Sequence, residues 1–451
     1  MRTTSATLAL ALTVTALMFT AGCGRATPVL TLKNASDIGN GQMSIMYFIR
    51  DIDETNADLL VTYSDDGVTW KEATAGSGGD GTVGLATTQK GTIHTFIWDY
   101  SADIGPGLKE YVRLWLLPVD TEGDDRGKGA ITNPLRFGAP IMYVANFDDG
   151  TVSVINTENF GGNSSVLSSI RIGDGPYRML YVPLKKKLYV ANLNGNSVSV
   201  IDTKTNMLRT TITVGNEPCA LAMSPAQGRV FVVNRGDNTI TGIETEPDVT
   251  FVTVPVGNSP SGIAVGKHNP INYAHEIFVT NYNDSTVEII TVDPNGVLHP
   301  GPTPLPVGLN PQGIAVSPNG VYLWVVCTGD NEVQIYETAN LHTGGSTTIQ
   351  VDQEPRDIVF PRSGRYAYVN NFGSGTVVKM DAKTFQTVGF FGANSAPASI
   401  AISTAGDRIY VSNYNDKMVT GIDPDTGATA GTVTVGSSPI GLVILPGAVD
   451  Q

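Results

Sequence analysis

The chain has 451 residues, of which 50 are glycine and only 16% are charged. That length points to two or three domains, and the composition suits a turn-rich all-β protein better than a helical one. A formal net charge of −14 argues against nucleic acid as a partner, because phosphates are bound by Lys and Arg.

Residues 1–22 have the order of an export signal peptide. Arg2 supplies a positive end, and Leu8 to Phe19 is an apolar run too short to span a bilayer as a helix. Thr20-Ala21-Gly22-Cys23 follows. It resembles the bacterial lipoprotein cleavage site, in which small residues precede a cysteine that becomes the lipidated N-terminus. Thr20 departs from that pattern, which usually has Leu there. The resemblance implies that Cys23 is lipidated, that residues 23–28 form a tether, and that the protein is lipid-anchored in the cell envelope, on the periplasmic face of a membrane or at the cell surface. An ordinary secretory signal cut nearby is the alternative, and it leaves a soluble protein. No other stretch is long and apolar enough to span a bilayer.

Residues 29–138 read as short strands broken by turn clusters. Ser44 to Ile49 is apolar with aromatics, and Asp58 to Tyr63 runs into the hairpin signal Ser64-Asp65-Asp66-Gly67, after which Thr69-Trp70 resumes the strand. Thr92 to Trp98 and Tyr111 to Pro118 follow, the latter alternating Val112, Leu114 and Leu116 with Arg113, Trp115 and Leu117. This pattern predicts a β-sandwich with Trp70, Trp98 and Trp115 in its core. Tyr63 to Trp70 resembles fibronectin type III and immunoglobulin-like modules of bacterial surface proteins, which implies a spacer or an adhesive unit.

From residue 139 to residue 447 one motif recurs. It is an aromatic, Val, a variable residue and then usually Asn: Tyr143 to Asn146, Tyr189 to Asn192, Phe231 to Asn234, Phe278 to Asn281, Trp324 to Cys327, Tyr368 to Asn371 and Tyr410 to Asn413. The aromatic recurs every 42 to 47 residues, the length that four short strands and their turns require. A second marker, Val-Gly-x-x-Pro, ends most repeats, as in Val214 to Pro218, Val256 to Pro260, Val307 to Pro311 and Val435 to Pro439. Its Gly is expected to supply a positive-φ turn, and its Pro fixes φ where the chain re-enters. Asp352 replaces the Gly in one copy, and Gly392 to Pro397 is a stretched copy. Small residues such as Ala222, Gly262, Gly313 and Ala401 mark the first strand of each repeat, where sheets converge on an axis and space is least. No stretch has a helical period.

These paired markers resemble the YVTN family of propellers of bacterial and archaeal surface proteins. The resemblance implies an all-β chain: a β-sandwich followed by a seven-bladed β-propeller. The repeat region enters at Ile141 without a preceding strand and ends on a lone segment, Gly441 to Leu445, which is expected to complete the first blade and close the ring.

In this topology the residues after each recurring Pro ring the mouth of the central channel. They are Tyr177, Arg178, Cys219, Ser261, Gln312, Arg356, Asp357 and Ser399. Ligand binding is expected at Tyr177, Arg178, Gln312, Arg356 and Asp357, with the two arginines holding a carboxylate or other anion or else pairing with acidic neighbours. Asp148, Asp149, Asp237, Asp284, Asp330 and Asp416 fall on hairpins, where turn chemistry accounts for them and calcium is the alternative. Arg235-Gly236-Asp237, an integrin-type tripeptide, is one such hairpin. The histidines and the paired-repeat cysteines Cys219 and Cys327 have no metal or haem spacing, and no nucleophile elbow or phosphate loop is present. Hence no catalytic residue, metal or cofactor is expected. The reading is a non-enzymatic envelope scaffold that binds an envelope protein or a small anionic ligand. A lactonase-like hydrolase acting in the channel mouth and a structural surface-layer component are the alternatives; related propellers include lactonases, but no catalytic residue carries over position by position.

Overall fold

The computed structural model describes residues 28–445, except 40–41, 52–55, 65–68, 105–108, 121–126, 128, 132–134, 138–140, 158–159, 162–164, 267–274, 294 and 404–405, together with residues 10–11. Cys23, residues 24–27 of its tether and most of the expected signal peptide lie outside the described residues. The protein is all-β and divides into two compact units, residues 1–139 with 446–451, and residues 140–445. No helix among the described residues is long and apolar enough to cross a membrane.

In the first unit Val29–Gly39, Gln42–Arg50 and Thr92–Asp99 pair antiparallel, with Leu10–Ala11 beside the first of them. Ala57–Ser64 and Lys109–Asp120 are the centre of a second antiparallel sheet, flanked by Lys71–Glu72, Ala130–Ile131 and Leu135–Phe137. Alternation decides the faces. Met43, Ile45, Tyr47 and Ile49 of the first sheet and Val112, Leu114 and Leu116 of the second are buried in one hydrophobic cluster. Trp98 joins that cluster fully buried, but Trp70 and Trp115 do not. Those two are half-buried and pack edge to face, with ring centroids 5.8 Å apart. Trp115 alternates with Leu114 and Leu116, so its ring leaves the sheet on the opposite side. The strand expected at Thr69-Trp70 is Lys71–Glu72 instead.

Among the described residues the second unit contains seven antiparallel sheets. Six take four consecutive segments in order. The first of these six runs Pro176–Val182, Lys187–Asn192, Ser197–Asp202 and Met207–Thr213. The others start at Pro218, Pro260, Pro311, Pro355 and Pro397. The remaining sheet joins Ile141–Asn146, Thr151–Asn156 and Val166–Arg171 to the last strand of the unit, Pro439–Leu445. In the sheet that starts at Pro260 the fourth position is split into Leu298–Pro300 and Leu305–Pro306, because Pro302 and Pro304 between them have no N–H to pair. The Pro-led first strands touch one another in an unbroken cycle, the strand at Pro439 meeting both that at Pro176 and that at Pro397.

Burial follows position within each sheet. The aromatic of every repeat lies on the second strand and is buried, as are its apolar neighbours on the same strand. The fourth strands, such as Met207–Thr213 and Val249–Pro255, are mostly exposed. At the inner end glycine is required. A Cβ on Gly262 would stand 2.1 Å from the Gln312 carbonyl oxygen of the next first strand, and one on Gly441 2.3 Å from that of Tyr177.

The repeat markers have a common side-chain basis. The Asn that ends the second strand donates to hydroxyls five and seven residues on: Asn192 to Ser197 and Ser199, Asn234 to Thr239 and Thr241, Asn146 to Thr151 and Ser153. Its side chain packs against the Val-Gly loop; in one repeat the Gly436 amide donates to Asn146 Oδ1 at 3.1 Å, and in five others Oδ1 is buried without a partner. This explains the glycine and corrects the expected reason for it. Gly215, Gly257, Gly308 and Gly436 are not in the positive-φ region; a Cβ on Gly215 would instead meet Asn234 Cγ at 2.7 Å. Positive φ falls on the residue before each Pro: Gly175, Glu217, Ser259, Asn310, Glu354, Ala396 and Ser438. Where Cys327 replaces the Asn, Gln334 takes over and accepts from the Gly308 amide at 3.1 Å.

Candidate functional site: the mouth of the strand cycle

The hairpin aspartates are part of the scaffold. Asp149, Asp237, Asp284, Asp330 and Asp416 accept from the backbone amides of Ser437, Asn216, Asn258, Leu309 and Ser395, at 2.6 to 2.8 Å. Each ties its hairpin to the Pro-containing loop entering its own sheet, so these carboxylates are committed to backbone donors. Among the described residues no group of three or more His, Cys, Asp or Glu could hold a metal ion. In Arg235-Gly236-Asp237 the Asp accepts from Asn216 with both oxygens and the Arg pairs with Glu217 at 3.0 Å, so neither end of the tripeptide is uncommitted.

The Pro-led first strands begin together at one end of the cycle and surround a cavity of about 530 Å³. The structure brings Tyr177, Arg178, Gln312, Arg356 and Asp357 into its wall, along with Cys219, Ser261 and Ser399. Tyr177, Gln312 and Arg356 are the residues directly after a Pro; Arg178, Asp357 and Ser399 are one step further in. One more step in, Met179, Leu221, Ile263, Ile314, Ile400 and Leu442 give an apolar lining. Of the polar lining residues, sequence reasoning did not assign three to the mouth: Ser259, which precedes a Pro, and the pair Arg235 and Tyr282. Both directly follow a repeat Asn, a position the repeat register marks as the start of a mouth hairpin.

The polar groups divide sharply by what they already bond. Arg178 Nη1 donates to Asp357 Oδ2 at 2.6 Å and to Ser399 Oγ at 2.5 Å, and Ser399 Oγ donates to Asp357 Oδ2 at 2.9 Å. The sheets of Arg178 and Asp357 are not neighbours; the strands at Pro397 and Pro439 stand between them on the shorter side of the cycle. Arg178 is therefore a strut across the mouth. Burial opposes its charge, but the Asp357 carboxylate beside it prevails and its pKa lies above the usual arginine value. Ser261 Oγ donates to the Pro311 carbonyl at 2.7 Å.

Arg356 is placed differently. Its guanidinium carbon lies 3.2 Å from the centre of the Phe372 ring, and its only carboxylate neighbour, on the exposed Glu354, is 3.7 Å away. Its Nε is buried without a hydrogen-bond partner. Desolvation by burial is the main reason its pKa lies below the usual arginine value, and Arg178 adds to that. The side chains of Tyr177, Tyr282 and Gln312 make no hydrogen bond among the described residues. Cys219 is buried, which pushes its thiol up to about 12, so it is no nucleophile at neutral pH. No histidine lines the cavity among the described residues, and the carboxylate that accepts from the Ser399 hydroxyl, Asp357, is held in an ion pair with Arg178, which weakens it as a base.

A family model described as YNCE-like beta-propeller matches residues 128–449. No curated protein matches the sequence. Solved structures do. A functionally unknown protein from Desulfotomaculum acetoxidans superposes with a TM-score of 0.60 at 16% identity, over 68% of this chain and all of its own. The periplasmic gluconolactonase PpgL of Pseudomonas aeruginosa gives 0.55 at 16% identity, covering 68% of this chain and 99% of its own. AztD from Citrobacter koseri gives 0.52 at 14% identity, covering 68% and 98%. At such identity the likeness is one of fold, and these three carry no shared activity in their names.

Proposed function

This chain belongs to the YNCE-like β-propeller family, and from that premise we propose that it is a non-enzymatic binding scaffold of the bacterial envelope. The propeller in this reading is seven-bladed and YVTN-like, closed by its last strand, and the first unit is an immunoglobulin or fibronectin type III-like β-sandwich that serves as a spacer. Cys23 carries the lipid anchor, and the mouth face of the propeller takes the partner, an envelope protein or a small anionic ligand. The observation that carries the reading is the state of the mouth. Its single serine–carboxylate contact is consumed by the Arg178 strut, whereas Arg356, Tyr177, Tyr282 and Gln312 keep polar groups uncommitted. A site with binding groups to spare and no base-activated nucleophile suits recognition better than hydrolysis.

The test is a pair of measurements on the full chain. A small-molecule thermal-shift screen is expected to find ligands that raise Tm, with the gain lost when Gln312→Leu and Tyr282→Phe are introduced together. A parallel screen with aldonolactones is expected to give no turnover above the buffer rate. Lactone hydrolysis that falls when Asp357 or Ser399 is replaced would make the protein a hydrolase instead.

A further inference from the structure

We propose that the mouth cavity is specific for a small organic carboxylate bearing hydroxyl or amide groups, that Arg356 is its anion ligand, and that Arg178 is a strut of the wall that does not contact the ligand. This rests on the reading of the mouth as a binding site and adds the chemical class and the division of labour. The two arginines stand one residue apart in their repeats, and their surroundings assign them different tasks.

Arg178 has its charge answered. One nitrogen serves both Asp357 and Ser399, and the three groups close on one another across the cycle. An incoming anion at Arg178 would meet a guanidinium whose charge is already countered by a carboxylate 2.6 Å away. Arg356 is the reverse case. Phe372 holds the guanidinium flat, which spends its face and leaves its edge. Along that edge Nε is buried and unbonded, and a buried donor without an acceptor is costly until something accepts from it. The remaining uncommitted groups supply the rest of the specificity. Tyr177 and Tyr282 are hydroxyl donors in the same wall. Gln312 offers an amide that can both donate and accept, which suits a hydroxyl or amide on the ligand. The cavity wall holds three arginines, of which Arg178 and Arg235 are paired at 2.6 and 3.0 Å with Asp357 and Glu217, while the carboxylate near Arg356, that of Glu354, stands off at 3.7 Å. A volume of about 530 Å³ admits a molecule of metabolite size. A carboxylate fits the planar edge of one guanidinium in bidentate fashion.

The experiment is equilibrium binding to the full chain by calorimetry, with gluconate and N-acetylglycine as carboxylate probes, glucose and N-acetylglycinamide as their neutral counterparts, and inorganic phosphate. A carboxylate probe is expected to saturate the site with a Kd in the millimolar range or below, and its neutral counterpart to bind at least about tenfold more weakly. Arg356→Met is expected to weaken carboxylate binding at least about tenfold, the loss of one charge-assisted contact. Arg356→Lys, which keeps the charge without the fork, is expected to fall between. The paired variant Arg178→Met with Asp357→Asn removes the strut as a neutral unit. It is expected to lower Tm while changing the carboxylate Kd by less than about threefold, because both members of an ion pair leave together. Unchanged affinity in Arg356→Met overturns the assignment, as does abolished binding in the paired variant with its fold intact by circular dichroism. Saturable binding of glucose with no preference for gluconate, or of phosphate alone, overturns the ligand class while leaving the mouth a binding site. Absence of binding by every probe up to roughly 10 mM, ten times a Kd of 1 mM, overturns the proposal, and the thermal-shift screen then decides whether the binding reading falls with it.

Discussion

Glu288 is the residue that fits its repeat least well. It occupies the position seven residues after Asn281, where Ser153, Ser199, Thr241 and Thr420 accept from their own repeat Asn. Here Asn281 reaches only Thr286, at 3.1 Å, and Glu288 is 8% exposed. Desolvation raises its carboxyl pKa above the ordinary value. A folded-state pKa above the unfolded one means the native state binds the proton more tightly, so stability is lost as pH rises through that pKa. Glu288→Thr restores the repeat hydroxyl and removes the buried charge. It is expected to raise stability at pH 7 by about 1 kcal/mol, measured as Tm, and the gain should shrink as pH falls below the ordinary glutamate range. An equal gain at acid and neutral pH would refute the role given to desolvation. The Asn itself was legible in the sequence as a marker, and its hydroxyl partners were written beside it at fixed offsets. Their meaning was not legible, because a hydrogen bond that links a strand end to the following hairpin strand leaves only a spacing in the sequence. The mouth residues were legible as a set for the opposite reason: the recurring Pro counts them off. Which of two neighbouring arginines is already paired depends on a contact between Arg178 and Asp357 that no local pattern encodes.

The loop entering each sheet is the element that repeats most strictly, and its conformation runs against a local preference. The residue before each Pro takes φ between 50° and 65°, and only Gly175 among the seven is a glycine. A left-handed conformation costs an ordinary residue roughly 1 to 2 kcal/mol. The loop is nonetheless held by its surroundings: the amide beyond each Gly is bound by a hairpin Asp, and the carbonyls of Glu217, Ser259 and Ser438 accept from the backbone amides of Arg235, Tyr282 and Phe147 on the hairpin of the same sheet. Sequence reasoning put the turn's freedom on the glycine, since glycine is where positive φ is usually found. The clash with Asn234 is invisible without the fold. Ala396 tests the point because it makes no side-chain hydrogen bond and stands outside the cavity wall. Ala396→Gly is expected to leave stability unchanged or raise it by up to about 1 kcal/mol, read from Tm, the relief of strain being partly offset by the freer unfolded chain. Ala396→Val is expected to cost about 2 kcal/mol or more, since a branched side chain tolerates this region worst. Equal effects of the two substitutions would show that φ at this residue does not limit stability.

For the molecule as a whole the decisive segment is the last described strand. Pro439–Leu445 pairs with Ile141–Asn146, almost three hundred residues earlier in the chain, and completes the only sheet assembled from both ends of the second unit. It touches the first strands on both sides, so removing it opens the cycle as well as exposing a sheet edge. Its side chains serve different neighbours: Leu445 belongs to the cluster of Tyr143, Tyr181 and Leu188, and Leu442 to that of Val144, Tyr410 and Val419. Ile440, Leu442 and Leu445 are all buried, and at roughly 1.5 to 3 kcal/mol for each such side chain their loss alone reaches about 5 kcal/mol. That is as large as the whole stability of many domains. Deleting residues 439–451 is therefore expected to lower the Tm of the full chain by more than about 10 °C and to make it aggregate. The cause can be separated from general damage by giving the strand back. A synthetic peptide of residues 439–445 supplied in excess presents the same edge and the same three buried apolar residues, and it is expected to restore part of the lost Tm in a concentration-dependent way. The same peptide with Leu442→Asp is expected to restore none. Truncation without a change in Tm would mean that closure by the C-terminal strand does not stabilise the unit, and the cycle of contacts would then have to be held by the six consecutive sheets alone.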